Sequence, residues 1–361
     1  MSVYLFLVLG LVLLVVAAEL LVNGSSRLGL RFGLSPLVVG LTIVAFGTSS
    51  PELAVGIGAG LAGQSEIAVG NIVGSNIFNV LAVLGISALI TPLVVQQQLV
   101  RFDVPLAIGV SLLFLLMALD GSIGLLDGLV LTAGIVSYTV FAIRQSRRES
   151  AAINDEYTQE FAPAGGLLDR LPMQLLAIAV GLVLLVLGAH WLVESAVSIA
   201  RALGVSEVVI ALTIVAAGTS LPELATSIVA ALRGERDIAV GNVIGSGLFN
   251  LLAIGGITAL VTPGGLSVAS SVLSFDLPMM VAVAIACMPI FATGHQISRW
   301  EGGLFLAYYV AYVTYLILAA TAHAALPIFS GIMLAFVLPL TVVTLMVLLL
   351  RHRKQPSDAM P

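Results

Sequence analysis

The sequence predicts an all-α polytopic membrane protein, built from two inverted five-helix repeats and one additional C-terminal helix. Three observations lead to this fold class: a very apolar composition, a long internal repeat, and an odd number of apolar segments in each half of the chain. Of the 361 residues, 60% are hydrophobic and 9% are charged, and the mean hydropathy is +1.16. This composition is typical of chains with many bilayer-spanning segments and excludes an ordinary soluble domain.

Eleven segments are long and apolar enough to cross a bilayer, which takes about 20 residues per helix. The first has no basic flank and is longer than the apolar core of a signal peptide, so we interpret it as a retained helix. The only cysteine, Cys287, excludes an intrachain disulfide. The predicted spans are approximately 3–22, 36–62, 67–91, 104–119, 124–143, 171–193, 207–232, 237–262, 276–293, 303–321 and 326–350.

The basic residues predict the orientation of these spans. With the N-terminus outside and the spans alternating, thirteen of the fourteen Lys and Arg residues lie on the cytoplasmic side, and Arg201 alone lies outside. This distribution fits the positive-inside rule. We therefore expect an N-terminus outside and a cytoplasmic C-terminus.

The chain repeats itself with a constant offset. Residues 41–54 read LTIVAFGTSSPELA and residues 212–225 read LTIVAAGTSLPELA, 171 positions later. At the same offset, AVGNIVGSNIFN at 68–79 matches AVGNVIGSGLFN at 239–250. Because five spans precede the polar segment between the copies, the second copy enters the membrane in the opposite orientation. Inverted repeats of this kind place a substrate site near the midplane between them.

These boundaries predict five parts. The repeats are separated by a short polar segment, and the last span has no counterpart in the first half. The parts are a first repeat at 1–143 with its motifs in 36–91, a cytoplasmic linker at 144–170, a second repeat at 171–321 with its motifs in 207–262, an additional helix at 326–350 and a cytoplasmic tail at 351–361.

The first motif combines a helix break with a carboxylate. Pro51 cannot donate to the carbonyl of Gly47, so span 2 should break there and release carbonyl groups just before Glu52. Pro222 has the same effect before Glu223 in span 7. Carbonyls, Thr and Ser hydroxyls and one carboxylate from each half form an all-oxygen set, which suits Ca²⁺ and Na⁺. An acid inside the membrane is a functional candidate by default.

The second motif adds hydroxyl and amide groups. Ser75 and Asn79 are one helical turn apart in span 3, as are Ser246 and Asn250 in span 8, so each pair shares one helix face. Interhelical hydrogen bonding is the alternative role for these four residues. Glycines spaced as GxxxG explain close packing but do not explain the glutamates. The motifs contain no His or Cys, which argues against zinc or copper.

Two further acids repeat with the motifs. Asp103 and Asp276 occupy equivalent positions at the start of spans 4 and 9, in the sequences Phe-Asp-Val-Pro and Phe-Asp-Leu-Pro. An acid stabilises the positive end of a helix. We therefore interpret both as local helix caps.

With these motifs, the chain resembles the sodium/calcium exchanger family of the Ca²⁺/cation antiporter superfamily, in its prokaryotic form with two alpha-repeats. The resemblance rests on the two GTSxPE and two GNxxGS motifs and covers spans 1–10. It implies secondary-active exchange of Na⁺ for Ca²⁺ by alternating access in a prokaryotic plasma membrane. It implies no enzyme activity and no cofactor, and as partners it implies the two ions and membrane lipids, with no nucleic acid.

The resemblance also implies a ligand set. Glu52 and Glu223 would bind Ca²⁺ together with the carbonyls of Thr48 and Thr219, and the two amides Asn79 and Asn250 would complete the polar layer. The sodium sites would draw on both glutamates and on residues that occur in equivalent pairs, which are Ala45, Thr48, Ser49 and Ser75 in the first repeat and Ala216, Thr219, Ser220 and Ser246 in the second.

Two other functions use the same residues. Buried glutamates can also carry protons, so an H⁺-coupled exchanger of Ca²⁺ or another divalent cation remains the alternative on this scaffold. An intramembrane hydrolase with Ser49 or Ser220 as the nucleophile is disfavoured, because two copies of the motif have no use in a protease. Some exchangers of this kind carry aspartate where Asn79 or Asn250 stands, and this difference leaves the sodium stoichiometry open.

Overall fold

The computed structural model describes residues 2–160 and 170–354, and helices make up most of it. The helices are α1 Ser2–Phe32, α2 Pro36–Thr48, α3 Ser50–Leu61, α4 Ser65–Ile90, α5 Leu99–Asp120, α6 Leu125–Glu160, α7 Leu171–Ala202, α8 Ala211–Gly218, α9 Leu221–Leu232, α10 Arg236–Val261, α11 Val272–Ala292, α12 Arg299–Ala320 and α13 Leu326–Val347. Glu207–Ile210 leads directly into α8, and the helix of α13 continues to Lys354.

The predicted number of spans is confirmed within the described residues. Nine helices are long and apolar enough to cross a membrane, and two bent pairs, α2–α3 and α8–α9, bring the number to eleven. The pairs bend by 44° and 63°. Each bend lies two residues before the proline, at Ser49 in the first pair and at Ser220 in the second. The backbone ψ angles of these serines, 5° and 9°, lie outside the helical range. A proline in the first turn then suits the helix that follows, because that position needs no N–H donor.

Two helices are longer than predicted. The first span is predicted to end at residue 22, whereas α1 continues to Phe32, and α7 likewise continues past residue 193 to Ala202. The polar run after residue 22 does not end α1, because Ser25 and Ser26 are buried and Asn23 donates to the carbonyl of Glu19 at 2.7 Å. A boundary set by apolar composition therefore falls short wherever polar residues are packed inside the protein.

The polar segment predicted at 144–170 overlaps the end of α6, which continues to Glu160. Residues 161–169 of this predicted linker lie outside the described residues, as do residues 355–361 of the predicted tail.

The additional helix α13 packs against α11 and α12, and Tyr308 donates a hydrogen bond to Thr341 at 2.6 Å. Most of its large apolar side chains are exposed on the protein surface.

Two short strand pairs mark the two faces of the helical bundle. β1 Leu93–Val94 pairs antiparallel with β4 Gln296–Ile297, and β2 Ser122–Ile123 pairs antiparallel with β3 Leu266–Ser267. Each pair joins one repeat to the other, and α5 separates the two pairs. We call the face with β1 and β4 the linker face, because it also holds the end of α6 and the start of α7. The face with β2, β3 and the start of α1 is called the N-terminal face.

The long helices α1 and α7 run antiparallel and touch along their length. A Cβ atom on Gly10 would lie 2.9 Å from the carbonyl oxygen of Gly188, and one on Gly24 would lie 3.2 Å from the carbonyl oxygen of Gln174. Small residues allow this close approach of two backbones, which is how helices associate in a membrane. Because α1 and α7 are the first helices of the two repeats, their contact joins the repeats over a long interface.

The central helix α10 packs just as closely against α2. A Cβ atom on Gly241 would lie 2.8 Å from the carbonyl oxygen of Leu37, and one on Gly245 would lie 2.6 Å from that of Leu41. At the equivalent glycines of the first repeat, Gly70 and Gly74 in α4, no atom of the described residues lies within 4 Å of such a Cβ. The two repeats thus share a sequence motif but differ in packing.

This difference predicts unequal effects of the same substitution. Gly245→Ala should lower the free energy of unfolding by about 1–3 kcal/mol, because the added methyl overlaps the Leu41 backbone. Gly74→Ala should change it by no more than about 0.5 kcal/mol. Thermal unfolding of the detergent-purified variants, monitored by size-exclusion chromatography, measures the difference in stability between them. Equal destabilisation by the two variants would contradict the packing described.

Candidate ion-binding site

The two glutamates lie at the centre of the bundle, directly after the helix breaks. Glu52 is in the first turn of α3 and Glu223 is in the first turn of α9, and both are 0% exposed. The positive end of a helix stabilises a carboxylate in its first turn. The breaks therefore supply favourable positions for two acids that are otherwise far from water.

The two carboxylates are connected by crossed hydrogen bonds. Ser49 of the first motif donates to Oε1 of Glu223 at 3.1 Å, and Ser220 of the second motif donates to Oε1 of Glu52 at 3.1 Å. The other oxygens, Oε2 of both glutamates, are buried and have no hydrogen-bond partner in the described part of the chain. Buried polar atoms are normally satisfied, so two unsatisfied carboxylate oxygens at one place fit a cation ligand site.

The threonines are held by two asparagines that sequence reasoning did not select as site residues. Thr48 donates to Asn242 Oδ1 at 3.1 Å, and Thr219 donates to Asn71 Oδ1 at 3.4 Å. Each asparagine also donates to the backbone carbonyl of the glutamate of its own repeat, Asn71 to Glu52 at 3.1 Å and Asn242 to Glu223 at 3.4 Å. The sequence does carry a signal for these asparagines. Each lies four residues before a predicted serine ligand, Ser75 or Ser246, and therefore shares its helix face.

The remaining predicted amides and hydroxyls surround the glutamates. Ser75, Ser246, Asn79 and Asn250 are all buried, and Ser246 Oγ lies 3.4 Å from Thr48 Oγ1. Both polar atoms of Asn79 and of Asn250 lack a hydrogen-bond partner among the described residues. The interhelical hydrogen bonding considered for these amides is therefore not seen, and their oxygen atoms remain available to a cation.

Short π-helical turns place these side chains. Asn79 begins one at Asn79–Leu84, Asn250 lies in another at Phe249–Ile254, and a third pair lies at Gly40–Val44 and Ala211–Val215 in the helices of the first motif. Such turns insert a residue into an α-helix and shift the direction of the side chains that follow. Their positions agree between the repeats, so the distortion belongs to the repeated sequence.

Comparison with known proteins identifies the family to which the chain belongs. Residues 2–144 and 173–318 match the family described as sodium/calcium exchanger protein. The chain belongs to the sodium/calcium exchanger family. It is thus an integral membrane antiporter that exchanges cations, not an enzyme, and the exchanged ions of the family, Na⁺ and Ca²⁺, are substrates that need no cofactor.

Individual relatives cover nearly the whole of this family region. The chain is 36% identical to the putative antiporter CaxA of Alkalimonas amylolytica, over 85% of this chain and 96% of that protein. It is 32% identical to the sodium/calcium exchanger MaX1 of Methanosarcina acetivorans, over 87% of this chain and 98% of that protein. The solved structure of the sodium-calcium exchanger NCX_Mj, soaked with zero Na⁺ and Ca²⁺, superposes with a TM-score of 0.73 at 30% identity and covers 87% of this chain and 98% of that one.

In this exchanger the two halves of the site are not equally closed. Ala45 is fully buried, whereas its equivalent Ala216 is exposed and lines a cavity of about 220 Å³. Gly70, Gly74 and Leu212 line the same cavity. Their equivalents Gly241, Gly245 and Leu41 are packed against one another on the linker-face side. The cavity therefore lies on the N-terminal-face side of the glutamates, and the equivalent space on the linker-face side is filled by helix contacts.

The interpretation of Asp103 and Asp276 as helix caps is wrong. Neither side chain accepts a hydrogen bond from its own helix start. Instead, Tyr138 donates to Asp103 at 3.0 Å, and Tyr312 donates to Asp276 at 2.8 Å. Each aspartate ends a π-helical turn, at Leu99–Asp103 or Val272–Asp276, so its side chain is directed at the next long helix of its repeat.

The asparagines of the site predict an unequal pair of mutational effects. Asn242 is buried and also donates to Ser227 at 3.0 Å. Within the described part of the chain it therefore makes three side-chain hydrogen bonds, whereas the partly exposed Asn71 makes two. Asn242→Ala should therefore cost about 1–2 kcal/mol more of unfolding free energy than Asn71→Ala. Thermal unfolding of both variants in detergent measures this difference. A larger loss with Asn71→Ala would contradict the network.

Proposed function

We propose that this protein exchanges Na⁺ for Ca²⁺ across a prokaryotic plasma membrane by alternating access, through a single site shared by the two repeats. The observation that supports this proposal most directly is the crossed pair of serine–glutamate hydrogen bonds. These bonds bring one carboxylate from each repeat together and leave one unsatisfied oxygen on each. A doubly negative all-oxygen site suits one Ca²⁺ or, alternately, several Na⁺ ions.

In this proposal, Ca²⁺ binds to the free Oε2 atoms of Glu52 and Glu223 and to the carbonyls of Thr48 and Thr219. Na⁺ ions use parts of the same site together with its hydroxyls and amides. These sodium ligands are the glutamates, the threonines, the pairs Ala45 and Ala216, Ser49 and Ser220, and Ser75 and Ser246, with Asn79 and Asn250 completing the central layer. Because one set of oxygens serves both ions, the two ions compete and cannot be carried together.

Charge supports exchange over one-way transport. Two ionised glutamates at 0% exposure repel each other and have lost their hydration, so the site without a cation is costly to enclose. A bound Ca²⁺, or Na⁺ ions of equal charge, removes this cost. The protein should therefore change conformation with a filled site, which couples the movement of one ion to that of the other.

The unequal closure of the two halves supports alternating access. The same glycine motif is packed against a helix backbone on the linker-face side and is open on the N-terminal-face side. Because the repeats are inverted and equivalent, exchanging their packing would close the cavity and open the other side. The described conformation then corresponds to one end of the transport cycle.

The basic residues support an N-terminal face outside the cell. The loops of the linker face carry most of the positive charge of the chain, as the positive-inside rule requires of the cytoplasmic side. Arg201, the exception on the N-terminal face, is paired with Glu207 at 2.6 Å, so its charge is compensated. With this orientation the cavity faces outward.

The test of the function is ⁴⁵Ca²⁺ uptake into proteoliposomes that are loaded with Na⁺ and diluted into Na⁺-free buffer. A parallel sample carries an outward proton gradient and no Na⁺. Uptake driven by Na⁺ alone is expected. Uptake driven by protons alone would assign the protein as an H⁺-coupled Ca²⁺ exchanger, and no uptake in either sample would refute the proposed substrate.

Glu52→Gln and Glu223→Gln should each abolish this uptake, because an amide leaves the site with one negative charge for a divalent ion. Glu66→Gln, at an exposed acid in the first turn of α4, is the matched control and should leave uptake unchanged. Size-exclusion chromatography verifies that all three variants fold. Near-normal flux in either site variant would contradict a site of two carboxylates.

Gly74→Ala should slow exchange without weakening Ca²⁺ binding from the open side. A methyl at Gly74 meets no atom in the described conformation, but it would lie in the contact that its equivalent Gly245 makes when that half is closed. A closure penalty of about 1.4 kcal/mol corresponds to a tenfold lower maximal rate. Gly109→Ala, at an exposed glycine of α5 with no atom nearby, is the control. Equal rates for both variants would refute closure through Gly74.

A further inference from the structure

The cavity on the N-terminal-face side contains a carboxylate that the central site does not use. Asp276 lines it together with Tyr309 and Tyr312, and the same cavity reaches Gly74 and Ala216 beside the central site. Among the described residues, no Lys or Arg lines this cavity. The cavity thus holds one negative side chain, on the N-terminal-face side of the glutamates.

The carboxylate is held in place by one hydrogen bond. Tyr312 donates to Oδ1 of Asp276 at 2.8 Å, and Tyr312 lies one helical turn from Tyr309 in α12. Phe275 stacks on Tyr315 with ring centroids 3.9 Å apart, which fixes the start of α11 against α12. The aspartate is thus positioned by its neighbours, and the rings of Tyr309 and Tyr312 add faces that attract cations.

The equivalent carboxylate in the other repeat is sealed. Asp103 is 0% exposed and accepts hydrogen bonds from both Tyr138 and Gln98, at 3.0 and 3.2 Å. Phe102 packs against Phe141 at the position of the Phe275–Tyr315 pair. The same acid–tyrosine unit therefore lines a cavity in the open half and is enclosed in the closed half. Helix capping does not explain this difference, since neither aspartate caps its helix.

We propose that Asp276 is a docking site for Ca²⁺ and Na⁺ that arrive from the N-terminal face, and that Asp103 serves ions arriving from the linker face when that half opens. This inference rests on the proposed function and adds a second position on the ion path. A single carboxylate raises the local concentration of cations. It binds too weakly to trap them, so the ion can move on to the two glutamates, as conduction between successive sites requires.

The docking role predicts an effect confined to one face. In membrane vesicles of defined orientation, Asp276→Asn should raise the KM for Ca²⁺ supplied to the N-terminal face by about tenfold. The maximal rate and the KM for Ca²⁺ supplied to the linker face should not change. Asp103→Asn should show the reverse pattern. The increase in KM should shrink at high concentrations of N-methylglucamine chloride, which screens the charge.

If these aspartates had a purely structural role, their substitution would alter the maximal rate, or would alter the KM equally at both faces. Either result would overturn the inference. An unchanged KM at both faces would overturn it as well. If Asp276→Asn does not fold, Tyr312→Phe provides the second variant, because it frees the carboxylate without removing its charge. It should raise the KM at the N-terminal face less than tenfold, and no increase would count against the role of Tyr312 as the positioning residue.

A binding measurement separates this inference from the proposed function. Tb³⁺, which binds at calcium sites, emits light when a nearby tyrosine is excited. In the folded Glu52→Gln, Glu223→Gln double variant, tyrosine-sensitised Tb³⁺ emission should persist at a weak site and should disappear when Asp276→Asn is added. Emission that does not depend on Asp276 would refute the docking site even if the wild type exchanges Na⁺ for Ca²⁺. Emission that depends on Asp276 in a protein without such flux would refute the proposed function alone.

Discussion

The structure depends on placing two carboxylates away from water, in the middle of an apolar bundle. An acid there is costly unless helix ends, hydrogen bonds or a cation stabilise it. Each glutamate sits at a helix start that its preceding proline creates, and each accepts a hydrogen bond from the serine of the other repeat. Neither repeat can complete this arrangement alone. The need to stabilise the carboxylates therefore binds the two halves of the chain into one unit.

The inverted repeat supplies two packings from one motif. Gly241 and Gly245 touch the backbone of α2, whereas Gly70 and Gly74 face a cavity. The strand pairs join the repeats at both faces, and the long contact between α1 and α7 joins them along their length. The difference in packing between the repeats thus concerns the short contacts beside the site, and it extends outward to the aspartate–tyrosine pairs.

The sequence predicts those features of the fold that follow from its composition and its internal repeat. The eleven spans, the inverted repeat and the breaks before Pro51 and Pro222 all result from local rules on apolar length and on the missing proline donor. Three features could not be obtained in this way. The ends of α1 and α7 depend on packing of polar residues, the π-helical turns depend on the whole helix, and the partners of Asp103 and Asp276 lie on other helices. Asn71 and Asn242 were within reach, since they repeat as regularly as the serines.

The one polar difference within the second motif follows from the symmetry itself. Asn76 stands where the second repeat has Gly247, and a Cβ atom on Gly247 would lie 2.9 Å from Asn76 Oδ1. Equivalent positions of the two repeats meet here, so both copies compete for one volume near the axis that relates them. A large side chain in one copy requires a small one in the other. Identity between the repeats is therefore limited where they touch, while the candidate ligands around the two glutamates remain paired.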